Sequence, residues 1–487
     1  MRGRLAPYVL GIGLGGLALV MAFFALYAVA LREDARGFFI TALVAGLLGL
    51  LLARLGRPEA EPSRREALIG VLLLWWLIPA FGALPYTISG GMSPLNAAFE
   101  SMSGFTTTGA TVLRDFSTFS FSLFMWRALT QWFGGVGIIV LFIAVLPQLA
   151  IAGRQLFFAE APGPTEERLT PRLRNTSNAV LIVYVGLTVA CGLAYLLGGM
   201  SLYNATAHAF TTLSAGGFSP NGLSFEGFGS PALDWICIVF MGFSGANFAL
   251  LFLGFQGRPL TLLRDAEFRA YLAISVVSAL AVAAALIRLY GWGDALRHGF
   301  FQALAIVTTT GYASADFATW PRQAQVVLLV LMFIGGSAGS AAGGIKVVRW
   351  LILIKNTARE VRRTLHPRAI LPVRVGERII PEEVLRAVAA FITLYIGLFA
   401  VTTAVLIYFG AEFVTAFTAA IACIGNIGPG LSTVGPMANF ADLHPVSRAV
   451  LIFGMYAGRL EVVTVFVVLD PQWWRLPRRW WADRMKR

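Results

Sequence analysis

The sequence predicts an all-α integral membrane protein, in which two N-terminal spans precede four helix–pore-helix–helix (M1-P-M2) repeats around one central pore. Its composition, its recurring apolar runs and an internal repeat predict this fold. The 487 residues are 57% hydrophobic and only 13% charged, with a mean hydropathy of +0.74, whereas about a quarter of the residues of soluble domains are charged. A surface this apolar requires lipid as part of its solvent.

The first two spans are predicted at 5–31 and 36–54, because runs of about 20 apolar residues can cross the hydrocarbon core. The first run is too long for the core of a signal peptide, so we expect it to be retained. Four pairs of spans follow, at 66–88 and 120–148, 178–199 and 233–256, 266–288 and 324–354, and 384–409 and 446–469. They divide the chain into two N-terminal spans (1–60) and pore repeats at 61–170, 171–262, 263–375 and 376–487, the last with a basic tail.

Arginines supply most of the formal net charge of +13, and they cluster in the short segments between spans. The densest cluster lies within 349–386, whereas 198–235 contains neither Lys nor Arg. This distribution is typical of the positive-inside rule rather than of nucleic-acid binding, so we expect an even number of spans with both termini in the cytoplasm. The three scattered cysteines, Cys191, Cys237 and Cys423, indicate neither a disulfide framework nor a metal site.

The internal repeat supplies the candidate site. Within each pair of spans lies a short segment with about 14 residues before a glycine, or roughly 20 Å of helix. The four loops that follow read Thr107-Thr108-Gly109, Ser214-Ala215-Gly216, Thr309-Thr310-Gly311 and Asn426-Ile427-Gly428. Segments this short predict re-entrant helices, and backbone exposed at membrane depth is tolerated only where protein or a water-filled cavity covers it. Four such units around one axis satisfy that requirement together.

These loops favour a pore for a monovalent cation. Rings of backbone carbonyls coordinate a partly dehydrated potassium ion, and glycine lets the backbone turn successive carbonyls inward. The C-terminal ends of the re-entrant helices carry a partial negative charge that favours a cation. No carboxylate lies in any of the four loops, which argues against a divalent-cation filter. The predicted filter residues are Thr108, Gly109, Ala215, Gly216, Thr310, Gly311, Ile427 and Gly428.

Several motifs resemble those of the Trk/Ktr/HKT superfamily of cation transporters, and most closely those of its bacterial TrkH/TrkG potassium uptake membrane subunits. The motifs are GFTTTGAT (104–111), WRALTQWFGG (126–135), AEAPGP (159–164), GGSAGS (335–340) with GGIK (343–346), and GRLE (458–461). The resemblance covers essentially the whole chain. It implies potassium selectivity, because members with glycine at all four filter positions are typically selective for potassium, whereas some plant relatives with serine in the first loop favour sodium.

The resemblance also implies a location and partners. It indicates a multi-pass protein of the bacterial cytoplasmic (inner) membrane that forms a homodimer. A cytosolic ring of TrkA-like nucleotide-binding subunits would dock on the arginine-rich segments, above all on 349–386. Apart from the transported K⁺ ion, we expect this chain to bind no cofactor.

A glycine-rich run interrupts the span that follows the third loop. Five of the ten residues of 335–344 are glycine, and each glycine within a helix costs about 1 kcal/mol relative to alanine. We therefore expect the helix to unwind in mid-membrane, although close packing through small residues is an alternative. By the resemblance this run is an intramembrane gate, whose predicted residues are Gly335, Gly336, Gly339, Gly343, Gly344, Lys346 and Arg459.

Arg459 and Arg127 are two of the arginines that fall within the predicted spans. Arg459 is deep in the last span, where an arginine is costly and usually functional. It either pairs with a carboxylate or, as the resemblance implies, lies under the filter and impedes cation flow. Arg127 is near the start of its span, and anchoring at the membrane interface explains it adequately.

Other functions are compatible with parts of the sequence. A non-selective or sodium-permeable cation channel or symporter stays open, because selectivity depends on filter geometry. An alternating-access carrier also uses broken helices, but its repeats usually number two. Gly242-Phe243-Ser244-Gly245 and 335–339 look like motifs of an intramembrane serine hydrolase, yet no histidine is expected in mid-span as the base. We therefore expect no enzyme. The segment 11–16 fits a dinucleotide fingerprint but lies inside an apolar span.

Overall fold

The computed structural model describes residues 5–56, 64–140 and 169–471. Four sequence features lie outside the described residues. They are the AEAPGP motif, the end of the span predicted at 120–148, most of the linker after residue 54, and the basic tail from 472 onward.

Helices account for almost all regular structure in the described residues. In chain order they are α1 (Leu5–Ala30), α2 (Arg36–Leu55), α3 (Arg64–Gly82), α4 (Leu84–Ile88), α5 (Pro94–Phe105), α6 (Phe121–Val140), α7 (Leu169–Leu197), α8 (Leu202–Leu213), α9 (Pro231–Ser244), α10 (Phe248–Phe255), α11 (Leu260–Arg264), α12 (Ala266–Val307), α13 (Arg322–Leu331), α14 (Val347–Leu365), α15 (Glu382–Tyr408), α16 (Phe413–Ile424), α17 (Pro445–Arg459) and α18 (Val462–Leu469). Two short strands, β1 (Arg374–Val375) and β2 (Arg378–Ile379), form an antiparallel hairpin.

Six of the described helices are long and apolar enough to cross a membrane, and eight spans result if each of two bent pairs counts as one. Two further spans were predicted. One corresponds to α6, which reaches the end of its described range at Val140, and the other begins with α13, after which the chain is unwound until α14 begins. The predicted all-α membrane class is confirmed, with two leading helices and four helix–short helix–helix units.

Four short helices take the predicted place of the re-entrant segments. Three of them, α5, α8 and α16, contain 12 residues each, about 18 Å at 1.5 Å per residue. The fourth is the end of α12, which Gly291 separates from the preceding span by adopting φ 74° and ψ 175°. The side chains of Ser93 and Ser201 cap α5 and α8 by accepting hydrogen bonds from backbone amides.

The second spans of three repeats are broken, and only one break was predicted. The glycine-rich segment between α13 and α14 is unwound, as expected. The axes of α9 and α10 differ by 107°, and those of α17 and α18 by 111°. No clear sequence signal indicates the bend between α17 and α18, where Glu461 adopts a positive φ of 68°.

The last repeat closes on the first. The Tyr456 hydroxyl on α17 donates to the Leu72 carbonyl on α3 at 3.1 Å, and the rings of Phe99 and Phe440 lie 5.6 Å apart. Large apolar side chains of α2, such as Leu47 at 61% exposure, point outward. The repeats therefore surround one axis, with apolar side chains on the outside available to lipid.

We predict that Glu33 joins the N-terminal helices to the first repeat. Its carboxylate accepts hydrogen bonds from the Phe121 and Ser122 amides at the start of α6, both at 2.9 Å. Glu33→Ala should destabilise the protein by about 1 kcal/mol, the usual cost of a lost helix cap. A lower melting temperature in detergent would show this. Glu33→Gln, which keeps one acceptor, should lose less, and an unchanged melting temperature for Glu33→Ala would contradict the assignment.

Candidate functional site

The four glycine loops share one backbone conformation. Each carries a pair of positive φ angles two residues apart. The pairs are Thr107 and Gly109 (51° and 82°), Ala215 and Gly217 (55° and 73°), Thr309 and Gly311 (55° and 76°), and Asn426 and Gly428 (53° and 103°). The equivalent of Gly109 in the second loop is therefore Gly217. The sequence alignment through Gly216 is wrong by one residue, because tandem glycines leave the register ambiguous.

The four loops form a closed ring of contacts. A Cβ atom on Gly109 would collide with the carbonyl oxygen of Gly216 in the second loop. In the same way, Gly217 meets the Thr310 carbonyl and Gly311 meets the Ile427 carbonyl. A Cβ on Gly428 would lie 2.8 Å from the Thr108 carbonyl oxygen of the first loop, so the contact between the fourth and first loops closes the ring. Positive φ and these close approaches both require glycine at the four positions.

Seven of the eight predicted filter residues belong to this ring. Its glycines are Gly109, Gly217, Gly311 and Gly428, and its carbonyls belong to Thr108, Gly216, Thr310 and Ile427. Ala215 lies one residue before the ring and corresponds to Thr107. The hydroxyls of Thr108 and Thr310 hydrogen-bond to those of Thr106 and Thr308, at 2.7 and 2.8 Å.

In each repeat, a different polar side chain of the re-entrant helix hydrogen-bonds to the part of the loop that follows the ring glycine. On α5, Glu100 accepts a hydrogen bond from the Val112 amide at 2.9 Å. At the same position of the second repeat, His208 bonds to Ser219 at 3.0 Å. In the third repeat, Gln302 donates to the Tyr312 carbonyl at 3.1 Å. In the fourth, Thr418 accepts from the Leu431 amide at 3.0 Å.

Arg127 belongs to this framework, and the interpretation as an interfacial anchor is wrong. Its side chain is 3% exposed, and its Nε lies 2.6 Å from the fully buried Glu100 carboxylate. The guanidinium also donates to the Ser219 carbonyl at 3.0 Å and lies 3.4 Å from the centre of the Phe218 ring. A buried glutamate within an apolar re-entrant helix was the sequence signal for a partner of this kind.

A cavity of about 320 Å³ opens on one side of the ring, and all four ring glycines line it. The loop residues before and after Asp115 line it as well. Hydrogen bonds from the Ser117 side chain and amide lower the pKa of Asp115, which keeps this carboxylate charged near the cavity. Ring glycines at the floor of an open cavity are accessible to ions from this side.

The unwound glycine-rich segment, 332–346, lies against the opposite side of the ring. The Gly343 amide donates to the Thr309 hydroxyl at 2.6 Å. A Cβ on Gly343 would lie 2.6 Å from the Gly425 carbonyl oxygen, just before the fourth loop. A hydrogen bond connects the two ends of the segment, in which the Gly335 amide donates to the Ile345 carbonyl at 2.8 Å. It therefore occupies the space directly below the third and fourth loops.

Two anchors that the sequence analysis missed hold this segment. The bend between α9 and α10 offers the Gly245 carbonyl to the Ser337 amide at 2.9 Å. Glu267, which is 5% exposed, accepts from the amides of Ala338 and Val348 at 2.8 and 3.1 Å. The only sequence signal for Glu267 was a carboxylate next to an apolar span.

Arg459 contacts the segment through carbonyl groups. Its guanidinium donates to Ala341 at 2.9 Å and to Gly134 at 3.4 Å. Glu461 pairs instead with Arg349, at 2.5 Å. Lys346 donates to the Ala342 carbonyl within the segment. Two basic side chains therefore lie at the segment, on the side of the ring opposite the cavity.

In the described residues, neither motif serine hydrogen-bonds to a histidine or a carboxylate through its hydroxyl. Ser244 donates to the Met241 carbonyl at 2.9 Å, and the Ser337 hydroxyl has no partner. The buried histidines His208 and His298 bond to Ser219 and Ser314 instead. The arrangement therefore does not support a serine nucleophile at either motif.

Comparison with known proteins identifies similar chains. Residues 37–473 match the TrkH family, described as cation transport proteins. The chain is 39% identical over 461 residues to the Trk system potassium uptake protein TrkH of Escherichia coli K12, with 92% of this chain and 95% of that protein covered. It is 36% identical to the E. coli TrkG protein, with 84% and 86% covered. The crystal structure of the potassium transporter TrkH from Vibrio parahaemolyticus superposes with a TM-score of 0.88 at 36% identity, over 98% of this chain and 100% of that one.

We predict that the Glu100–Arg127 pair holds the loops in place. Glu100→Gln leaves the Arg127 charge buried without a counter-charge, which costs roughly 3–5 kcal/mol for a pair of this kind. The melting temperature in detergent should fall sharply. Asp442→Asn, which breaks the exposed pair with Arg114, is the matched control, with an expected loss below about 1 kcal/mol. Equal losses for the two variants would contradict the prediction.

Proposed function

Because the chain belongs to the TrkH family of cation transport proteins, we propose that it carries potassium ions across the bacterial inner membrane through the ring of four loops. Relatives named as Trk system potassium uptake proteins support potassium as the ion. One observation carries the proposal, namely that each ring glycine meets a carbonyl of the next loop and the fourth loop returns to the first. Rings of backbone carbonyls take the place of the hydration shell of a potassium ion.

The charges around the ring suit a monovalent cation, which must bind in the ring and must also be released from it. The ring is built from backbone carbonyls, and the nearby Glu100 carboxylate is paired with Arg127. A cation in the ring would therefore meet oxygen dipoles without a fixed, unpaired negative charge to hold it. We assign the Thr108, Gly216, Thr310 and Ile427 carbonyls to potassium binding, with the second loop corrected by one residue.

The segment 332–346 is assigned as the gate. It lies in the path below the ring, and the Gly343 amide bonds to the base of the third loop. Arg459 adds a positive charge at the same level, which opposes the passage of a cation. In this arrangement the path is closed, and opening requires the segment to leave its contacts with Glu267, Gly245 and Arg459.

The arginine-rich segment 349–386 is assigned as the cytoplasmic docking surface for a TrkA-like nucleotide-binding ring. A small apolar cluster that includes Ile352, Val373 and Val384 orders this segment. Lys355 also donates to the Arg374 carbonyl of the hairpin at 2.7 Å. Since α14 follows the gate directly, a partner bound here has mechanical access to it. Both termini then lie in the cytoplasm, and we propose that two copies of the chain form a homodimer.

Our division of the chain follows from this arrangement. We retain the N-terminal spans at 1–60 and the repeats at 61–170, 171–262, 263–375 and 376–487, since each repeat contributes one loop to the ring. The third repeat contains the gate.

The proposed transport is tested by measuring cation flux through the purified protein in liposomes, driven first by a potassium gradient and then by a sodium gradient. Potassium flux well above sodium flux supports it, and equal fluxes would leave a non-selective pore.

We predict that Gly311→Ser lowers the preference for potassium over sodium. The new Cβ would meet the Ile427 carbonyl at a positive φ of 76°, and left-handed backbone costs about 1–2 kcal/mol for other residues. The potassium-to-sodium flux ratio should fall by roughly five- to thirtyfold. Gly291→Ser is the matched control, because Gly291 also has a positive φ of 74° but no atom within 4 Å of a Cβ. An unchanged ratio in Gly311→Ser would contradict the filter assignment.

We also predict that Glu267 latches the gate. Glu267→Ala removes the acceptor for the Ala338 and Val348 amides, and each lost hydrogen bond costs about 0.5–1.5 kcal/mol. Potassium flux without a cytosolic partner should rise by about tenfold or more. Glu267→Gln keeps an acceptor oxygen and should stay closer to the wild type. A Glu267→Ala protein that folds and conducts no faster would refute the latch.

A further inference from the structure

One buried amide side chain holds the second loop. Gln131 on α6 is fully buried, and its Nε2 donates to the Gly216 carbonyl at 2.7 Å. Its Oε1 accepts from the Phe218 amide at 3.0 Å. A single side chain therefore bonds to the backbone on both sides of the ring glycine Gly217.

The contact explains the tandem glycines of the second loop. The residues equivalent to Gly216 in the other loops are Thr108, Thr310 and Ile427, which all have side chains. A Cβ on Gly216 would collide with the amide group of Gln131. Gln131 thus occupies the space next to Gly216 that a side chain at this loop position would need.

The amide occurs in one repeat of the four. Gln131 lies three residues before Gly134, and methionines lie three residues before Ser244, Gly335 and Gly458, at positions 241, 332 and 455. Gly134 and Gly458 occupy equivalent places, because a Cβ on either would collide with the carbonyl at the end of its re-entrant helix. All three methionines are at most 1% exposed. Methionine therefore suffices for packing at this position, and burying an amide costs free energy unless it is hydrogen-bonded.

The ring is consequently asymmetric in its electrostatics. Of the four ring carbonyls, that of Gly216 alone accepts a hydrogen bond from another group in the described part of the chain. A donor at 2.7 Å occupies one lone pair of this oxygen and fixes its direction. Field strength and geometry of the carbonyl oxygens set the preference between potassium and sodium.

We propose that Gln131 is a specificity-determining positioning residue of the filter, which acts on the ion through the Gly216 carbonyl. This inference rests on the proposed potassium transport through the ring. The hydrogen bond lowers the field of one oxygen in four, and a weaker field favours the larger, less strongly hydrated potassium ion. Gln131 contacts the loop from behind and needs no contact with the ion.

The test replaces Gln131 by the residue of the other three repeats. Gln131→Met in liposomes should lower the potassium-to-sodium flux ratio by about three- to tenfold, the factor that corresponds to one net hydrogen bond. Total potassium flux should change less than the ratio. Met241→Leu, at the matching position of the second repeat and with no side-chain bond to a ring carbonyl, should keep the wild-type ratio.

A second variant separates the hydrogen bond from packing. Gln131→Glu at pH 6 keeps the length of the side chain, and burial keeps its carboxyl group neutral, so it retains a donor to Gly216 and an acceptor for the Phe218 amide. Its ratio should therefore stay close to the wild-type ratio. A wild-type ratio in a folded Gln131→Met protein, or a ratio in Gln131→Glu as low as that of Gln131→Met, would overturn the inference. A wild-type protein without any potassium preference would instead contradict the proposed potassium selectivity of the ring, so the two failures are distinguishable.

Discussion

The structure depends on the contact between each ring glycine and a carbonyl of the next loop. Irregular backbone at membrane depth must be covered by protein or line a water-filled cavity, and one loop cannot cover itself. Four loops of the same conformation cover one another, because the missing Cβ at Gly109, Gly217, Gly311 and Gly428 lets each carbonyl approach. The surrounding spans and re-entrant helices hold the loops at this distance.

The backbone of the ring is close to four-fold, whereas its side-chain support differs in every repeat. Glu100, His208 and Gln302 occupy the same helix position and brace their loops with different chemistry. Arg127 and Gln131 on α6 add two attachments to the second loop. These two attachments concentrate the electrostatic asymmetry where the first two repeats meet. The segment 332–346, the proposed gate, contacts the third and fourth loops instead.

The sequence was sufficient to predict the features that recur in every repeat. It was not sufficient to predict the features that depend on three-dimensional contacts. Apolar runs and four glycine loops were enough for the spans, the re-entrant helices and the glycine positions of three loops. The predicted register of the second loop was wrong, because Gly216 and Gly217 are the same residue type. They differ only in the folded structure, in which Gly217 has a positive φ and meets the Thr310 carbonyl, whereas Gly216 meets Gln131. The roles of Arg127 and Glu267 also escaped, since their partners lie 27 and 71 or more residues away in the chain.

The most direct test of the account locates the ion. Crystals or cryo-EM samples prepared with thallium or rubidium in place of potassium would reveal a heavy monovalent ion by its scattering. We predict density on the axis of the ring, within coordination distance of the Thr108, Gly216, Thr310 and Ile427 carbonyl oxygens. An empty ring, with the ion bound elsewhere in the protein, would contradict the assignment of these four loops as the ion path.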